Sequence, residues 1–281
     1  MTDAQWMLYA AVIYTIAIIV ATYAIFRREV RPPPRILILA LIVVGFILHS
    51  IGLYGRGLSV KGCPTGNPFE VLQFISWSTI LIYICTGSVF RITLLGFFSA
   101  SLATLLSILS FIPQGWDHPY GVAVFGGNPL IEAHVSIALF SYGVFGMLMI
   151  TSIMYLLQNF SLKHKHLRGL FRLLPSILQL DIVNQRLLYI GSTVFSFSII
   201  IGSVHWFEHW ESLSLFKLIA TTLVWLAALC LSFFRLKQLI HGPRFAIACI
   251  LLFLSALFAL WPVEQSRKSP SAEKSVALFI R

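Results

Sequence analysis

Eight long apolar runs limit what this chain can fold into more than any other feature. They occupy roughly residues 7–26, 36–55, 69–90, 92–112, 130–157, 187–207, 214–234 and 244–262. A helix needs about 20 consecutive apolar residues to cross the hydrocarbon core of a bilayer. The hydrophobic share of the 281 residues is 58%, against about 45–50% in soluble domains. The runs therefore predict an all-α polytopic membrane protein with about eight transmembrane helices.

Basic residues concentrate at one end of these helices. The segments after the first, third, fifth and seventh runs hold thirteen of the twenty Lys and Arg residues. The positive-inside rule assigns that end to the cytoplasm, so both termini are predicted to lie outside. The net charge of +10 then belongs to a rim facing lipid headgroups, and no nucleic-acid partner is predicted.

The chain shows one membrane unit without a soluble domain or an internal repeat. Residues 1–35 hold the first helix and a basic loop, residues 36–262 the main membrane domain, and residues 263–281 an external polar tail. The first run lacks the basic leader of a signal peptide and is predicted to be a retained helix. No disulfide or catalytic Ser/His/Asp set is expected from the four cysteines and the residue spacing.

Two histidines lie at depth on the predicted outer side. His49 is about a turn and a half inside the end of the second run, and His134 is about one turn inside the fifth. An ionisable group within the bilayer costs free energy unless it has a partner, which makes both residues functional candidates. The alternative is a structural hydrogen bond across helices.

The segment "HWFEHW" repeats two residue types at helical spacing. His205 and His209 are four residues apart, and so are Trp206 and Trp210. If the sixth helix continues this far, one face carries two imidazoles and the adjacent face two indoles. Such a surface suits a flat aromatic ligand better than a divalent metal. An interfacial aromatic belt accounts for some of the tryptophans.

The stretch "KGCPTGNPFEVLQFISWS" leads from an outer loop into the third helix. Asn67 is the predicted N-cap and Pro68 the first helical residue. Glu70 falls at the third position, where its carboxylate can meet free backbone N–H groups. Trp77 lies about two turns deeper.

Three stretches resemble one family. The first is "HSIGLYGRGLSVKGCPTGNPFEVLQFISWS" from His49 to Ser78. The others are "EAHVSIALFSYGVFGMLMITSIMYLLQ" and "LDIVNQRLLYIGSTVFSFSIIIGSVHW". Together they are similar to the haem-handling cytochrome c assembly proteins of the CcsA, ResC and HemX type. The resemblance covers about residues 36–260.

The resemblance implies a membrane domain that binds haem b at its outer face. His134 takes the position of the external axial ligand, and His49 that of the intramembrane histidine. His205 and His209 are the further ligand candidates, with Trp206, Trp210 and Trp77 as flat contacts to the porphyrin. Arg56 and Lys61 are the cations of the external loops and are expected to meet its propionates. No C-x-x-C-H is present, so the haem is expected to be non-covalent.

The chain departs from the family pattern at its functional segments. The tryptophan-rich motif is shortened to "HWFEHWESLSLFK", and two ligand histidines of the transfer-competent relatives are missing from "LSFFR" and "LFALWPVE". These departures favour the HemX-like branch. The predicted function is haem handling in cytochrome c assembly or haem homeostasis, beside other assembly proteins of a bacterial cytoplasmic membrane, without enzyme activity of its own. The alternatives are a small-molecule transporter and a scaffold that no longer binds haem.

Overall fold

The fold is seen in a computed structural model of the protein. It describes residues 2–26, 35–90, 94–113, 115–117, 128–165, 174–208 and 215–267. Eight helices and no strand lie within these ranges. The helices are α1 Asp3–Phe26, α2 Arg35–Val60, α3 Pro68–Phe90, α4 Leu95–Phe111, α5 Pro129–Lys163, α6 Ile177–Glu208, α7 Leu215–Leu236 and α8 Gly242–Arg267.

Seven of the described helices are long and apolar enough to cross a membrane, and α4 is a shorter apolar helix. The predicted all-α polytopic membrane fold is therefore confirmed. The orientation of the termini stays a prediction, and "outer" below means the end that the positive-inside rule places outside. The division at residue 262 also stays a prediction; α8 continues to Arg267, and residues 268–281 lie outside the described residues.

Two helix boundaries differ from the apolar runs. Helix α2 continues to Val60, so His49 lies about three turns before its end and not a turn and a half. Helix α6 begins at Ile177, ten residues before the run at 187. Its first turns are polar because Asp181 and Gln185 bond the buried guanidinium of Arg235 on α7. The contact with Arg235 gives the polar side chains of Asp181 and Gln185 a partner within an otherwise apolar helix.

The helices form two packed groups, with α1, α2 and α4 in the first and α5, α6, α7 and α8 in the second. Helix α3 joins them. Helices α1 and α2 pack together, and α1 also packs on α4. Helix α5 packs mainly on α6 and α8, while α3 contacts both α4 and α5. A Cβ added at Gly143 of α5 would lie 2.8 Å from the Cβ of Ser78 on α3. The two groups thus meet at a backbone approach that only glycine permits at this position.

Candidate functional site

The N-terminus of α3 is capped as the sequence predicts. The helix begins at Pro68, and the backbone N–H of Glu70 donates to Asn67 Oδ1 at 2.7 Å. The Glu70 carboxylate accepts a hydrogen bond from the backbone N–H of Gly66 at 2.7 Å. These bonds satisfy donors that a helix start leaves open. The predicted roles of Asn67, Pro68 and Glu70 are confirmed.

Arg56 lies at the centre of an ion-pair group that we call the Arg56 cluster. Its guanidinium is 2.6 Å from a carboxylate oxygen of Asp3 and 2.6 Å from one of Asp117. Glu70 Oε1 is 3.8 Å from Arg56 Nε. Arg56 is 4% exposed and Glu70 1%. The cluster ties α1, α2, α3 and the segment 115–117 together, so a haem propionate could reach Arg56 only by competing with carboxylates already in place.

The loop between α2 and α3 docks on the first turns of α5. The backbone N–H of Cys63 donates to Glu132 Oε2 at 3.3 Å, and Cys63 Sγ lies 3.0 Å from Ser136 Oγ. Lys61 precedes this contact, is exposed, and has a left-handed backbone with φ of 55°. The docking therefore holds an exposed cation at the end of α5 that carries His134.

Burial raises the pKa of the Cys63 thiol. The nearby carboxylates of Glu132 and Glu70 act in the same direction, while hydrogen bonds with Ser136 and Thr65 oppose the shift. Both burial and negative charge disfavour the thiolate. Cys63 is thus held as a protonated thiol at neutral pH and is a poor nucleophile.

His134 packs against one turn of α6. Its Nδ1 lies 2.7 Å from the backbone carbonyl oxygen of Ser198 and 3.0 Å from the Ser198 hydroxyl. That hydroxyl donates to the carbonyl oxygen of His134 at 2.8 Å. A carbonyl can only accept, so Nδ1 carries the proton in this arrangement, and Nε2 of the neutral ring has the lone pair that can coordinate a metal.

Gly202 makes room for the His134 ring. A Cβ at residue 202 would lie 2.6 Å from both Cε1 and Nδ1 of the imidazole. Ser198 and Gly202 are one helical turn apart, so the ring sits over a single turn of α6. We call this turn of α6, Ser198 to Gly202, the His134 cradle. Its backbone carbonyl orients Nδ1, and metal-binding histidines usually have one nitrogen held by an acceptor in this way while the other binds the metal.

His49 lies in the other helix group. It is fully buried, and its ring is 6.2 Å from the ring of Tyr14 on α1. The amide of Gln73 on α3 lies near the ring, outside hydrogen-bond geometry, and neither imidazole nitrogen has a hydrogen-bond partner among the described residues. His49 thus packs against α1 and α3, whereas His134 packs against α6.

Trp77 fills the contact between α2 and α3. Its Nε1–H donates to Ser50 Oγ at 2.8 Å, and its ring stacks on Phe46 with centroids 5.6 Å apart and an interplanar angle of 18°. Phe74 lies at the same centroid distance in a tilted arrangement. Trp77 is therefore a packed residue of the α2–α3 contact, and its role toward a porphyrin stays a prediction.

The histidine- and tryptophan-rich segment follows directly from the His134 cradle. Helix α6 extends to Glu208, so residues 205 and 206 are helical as expected, although the structure does not describe the side chains of His205 and Trp206. His209 and Trp210 lie outside the described residues. His205 is three residues beyond Gly202, within one turn of the cradle along the same helix.

The predicted site residues thus separate into two sets. His134, His205 and Trp206 belong to the outer ends of α5 and α6, with Lys61 on the loop docked there. His49, Trp77 and Arg56 belong to the contacts of α1, α2 and α3. No group of three or more His, Cys, Asp and Glu suited to a metal ion occurs among the described residues, so a bare-metal site receives no support there.

Sequence reasoning missed two residues at the His134 end. Ser198 and Gly202 contact the ring but carry no distinctive chemistry of their own. Small residues four apart on a membrane helix indicate a close approach from a neighbour. That spacing, set against a histidine on the preceding helix, is the signal that could have found them.

Comparison with known proteins identifies the family of this chain. The sequence model of the family described as Cytochrome C assembly protein matches residues 65–269. Protein HemX of Brevibacillus brevis is 29% identical over 205 residues, which is 73% of this chain and 74% of that protein. Protein HemX of Bacillus subtilis (strain 168) is 25% identical over 211 residues, 72% of this chain and 75% of that protein. The matched region contains α3 to α8 with the His134 cradle, and the chain therefore belongs to the cytochrome c assembly protein family.

Proposed function

We propose that this protein binds haem b non-covalently at the outer ends of α5 and α6 and handles it in cytochrome c assembly or haem homeostasis. One observation carries the proposal: His134 donates through Nδ1 to the Ser198 carbonyl, which makes Nε2 the nitrogen through which the neutral imidazole would coordinate iron. Family membership supplies the context. Haem is the cargo here, and its iron takes one or two axial imidazoles from the chain.

The second axial ligand is best sought near the end of α6. His205 lies three residues beyond Gly202 on the same helix as the cradle, and His209 follows four residues later. His49 is the less suitable partner because it packs between α1 and α3, in the other helix group. Trp206 and Trp210 belong to the same sequence segment as these two histidines and would supply flat apolar surface for a porphyrin.

Lys61 is the cation that we assign to a propionate. It is exposed, and its loop is fixed to α5 through Cys63, Glu132 and Ser136. Arg56 is less available, since Asp3 and Asp117 each lie 2.6 Å from its guanidinium. An ammonium on a flexible stem can follow a propionate more easily than a buried guanidinium can.

Haem titration of the purified protein tests the proposal. Wild type is expected to bind haem with a Soret spectrum of histidine ligation, and His134→Ala is expected to lose most of it. His164→Ala is the matched control, because it removes a histidine from the opposite end of the same helix. His49→Ala, His205→Ala and His209→Ala identify the second ligand. A colourless wild type in the presence of haem, or a His134→Ala variant with an unchanged spectrum, would refute the proposal in favour of a transporter or scaffold.

We further propose that the chain works beside other assembly proteins in a bacterial cytoplasmic membrane. Two ligand histidines of the transfer-competent relatives are absent, and the raised pKa of Cys63 disfavours the thiolate that would be needed to reduce a client. Expressed alone in a host without cytochrome c assembly genes, the protein should give no holocytochrome c. Holocytochrome formation in that host would contradict this part of the proposal.

A further inference from the structure

We propose that Ser198 and Gly202 are positioning residues that fix both the tautomer and the direction of the His134 ring. The inference rests on the proposed haem site but concerns residues of the chain itself. Ser198 supplies the acceptor, and Gly202 supplies the space without which the ring cannot reach it. Nδ1 lies 2.7 Å from the Ser198 carbonyl oxygen, and a Cβ at residue 202 would lie only 2.6 Å from Nδ1.

The acceptor acts through the tautomer of the imidazole. In a regular helix the carbonyl of Ser198 accepts the N–H of residue 202, and its second lone pair is open to a donor from the side. Only the form of His134 protonated at Nδ1 can use it. The Ser198 hydroxyl strengthens the contact, because it bonds the His134 carbonyl at 2.8 Å and lies 3.0 Å from Nδ1. The backbone of α5 and the ring are thus held by the same residue.

The space acts through the ring position. A Cβ at residue 202 would meet Cε1 and Nδ1 at 2.6 Å and Cγ at 3.1 Å, all below ordinary van der Waals contact. The ring is the movable partner, since the other side of the contact is helix backbone. In Gly202→Ala the imidazole must therefore swing away, and the hydrogen bond to Ser198 is lost with it. Loss of such a supporting contact typically lowers metal affinity by about 10–100-fold.

A purely structural role for Gly202 is the competing explanation, because small residues are common wherever membrane helices pack closely. The same helix offers a matched control in Gly191. A Cβ there would lie 2.6 Å from Cε1 and 2.9 Å from Cδ1 of Phe145 on α5. Gly191→Ala thus adds a methyl group at the same α5–α6 interface as Gly202→Ala does. The added methyl group meets the ring of Phe145 and not that of His134.

The first measurement needs no haem. Selective ¹⁵N-histidine NMR of the apoprotein should show His134 protonated at Nδ1 in wild type and in Gly191→Ala, and a changed tautomer population in Gly202→Ala. The assignment of the signal comes from its loss in His134→Ala. An unchanged His134 signal in Gly202→Ala would overturn the inference, whatever the protein does with haem.

The second measurement is haem titration per folded protein, with the Soret and low-spin EPR spectra of the complex. Gly202→Ala is expected to bind about 10–100-fold more weakly with an altered ligand field, and Gly191→Ala to keep both affinity and spectrum. Ser198→Ala keeps the carbonyl and should lie between the two. Equal behaviour of the two glycine variants overturns the positioning role. A wild type that binds no haem but shows the expected tautomers overturns the proposed function alone.

Folding losses are separated by a double-variant cycle. In the His134→Ala background a methyl group at residue 202 has room, so Gly202→Ala should cost much less stability there than in wild type. Gly191→Ala should cost the same in both backgrounds, since its neighbour Phe145 is unchanged. If the cost of Gly202→Ala does not depend on His134, the ring does not occupy the cradle, and the inference is wrong.

Discussion

Replacement of Arg56 by leucine is expected to destabilise the protein by about 3–5 kcal/mol, because it leaves a buried carboxylate without its cation. Leucine keeps part of the apolar stem but loses the contact of the guanidinium with Phe69, whose ring centroid is 5.3 Å from the guanidinium carbon. The change therefore removes charge more than volume. It tests whether the Arg56 cluster holds the ends of α1, α2 and α3 together.

The magnitude comes mainly from Glu70. The side chains of Asp3 and Asp117 are 21% and 38% exposed, and ion pairs of such groups contribute about 0–1 kcal/mol each. Glu70 is 1% exposed and lies 3.8 Å from Arg56 Nε. At an effective dielectric constant of about 20, this separation corresponds to about 4 kcal/mol of Coulomb attraction. Without Arg56, the carboxylate keeps its hydrogen bonds with the backbone of Gly66 and Asn67 at the helix end, but no cation within the cluster.

Unfolding in mixed detergent micelles, titrated with a denaturing detergent, measures this loss. Lys61→Leu is the control, since it removes an exposed cation just beyond the end of the same helix and should change stability by less than about 0.5 kcal/mol. The double variant Arg56→Leu/Glu70→Gln should recover much of the loss, because a neutral amide still accepts the Gly66 N–H. The reasoning would be refuted if Arg56→Leu were as stable as wild type, or if the double variant were no more stable than Arg56→Leu.

Three further predictions concern a close helix contact, the reactivity of a thiol and the orientation in the membrane. Gly143→Ala should destabilise by about 1–3 kcal/mol in the same assay, because the new Cβ meets Ser78 Oγ most closely and lies 2.8 Å from Ser78 Cβ. Ser78→Gly should relieve that cost, and Ser78→Ala should relieve only the part due to Oγ. Cys63 should react with a membrane-impermeant maleimide more slowly than a free thiol does at pH 7, because its raised pKa disfavours the reactive thiolate. Its reaction rate should increase as the pH rises beyond the ordinary thiol range. A rate equal to that of a free thiol at pH 7 would contradict this. Reporter fusions after residues 30, 165 and 240 should all report cytoplasm, and an external signal from any one of them would show the orientation to be wrong.

The helices and one helix cap could be predicted from the sequence because their causes are local. Apolar runs of membrane length mark the helices, and Asn67, Pro68 and Glu70 form a cap within four residues. The start of α6 could not be found in this way. Asp181 and Gln185 break the apolar pattern, and their partner Arg235 is 54 and 50 residues away in the sequence.

The role of Arg56 shows the same limit more sharply. In the sequence it is one of two cations in the external loops, and so it suggested a propionate contact. The structure brings to it Asp117, 61 residues away, and Asp3 from the first turn of α1. Counting charges in a loop gives their number and their side of the membrane, but not their partners. Only the packing of α1, α2 and α3 decides that.

The sequence suggested that His49 and His134 act together because both lie within the outer half of the membrane. Depth in the membrane does not determine which helices surround a residue. His49 packs against α1 and α3, with no hydrogen bond to either ring nitrogen among the described residues. His134 bonds the α6 backbone at Ser198, on the helix that continues to residues 205 and 206. His205 and His209 follow in the sequence of that segment, whereas His49 belongs to the contacts with α1 and α3. On the proposed haem site, these positions make His205 or His209 the expected second ligand, and the spectra of the His49→Ala, His205→Ala and His209→Ala variants decide between them.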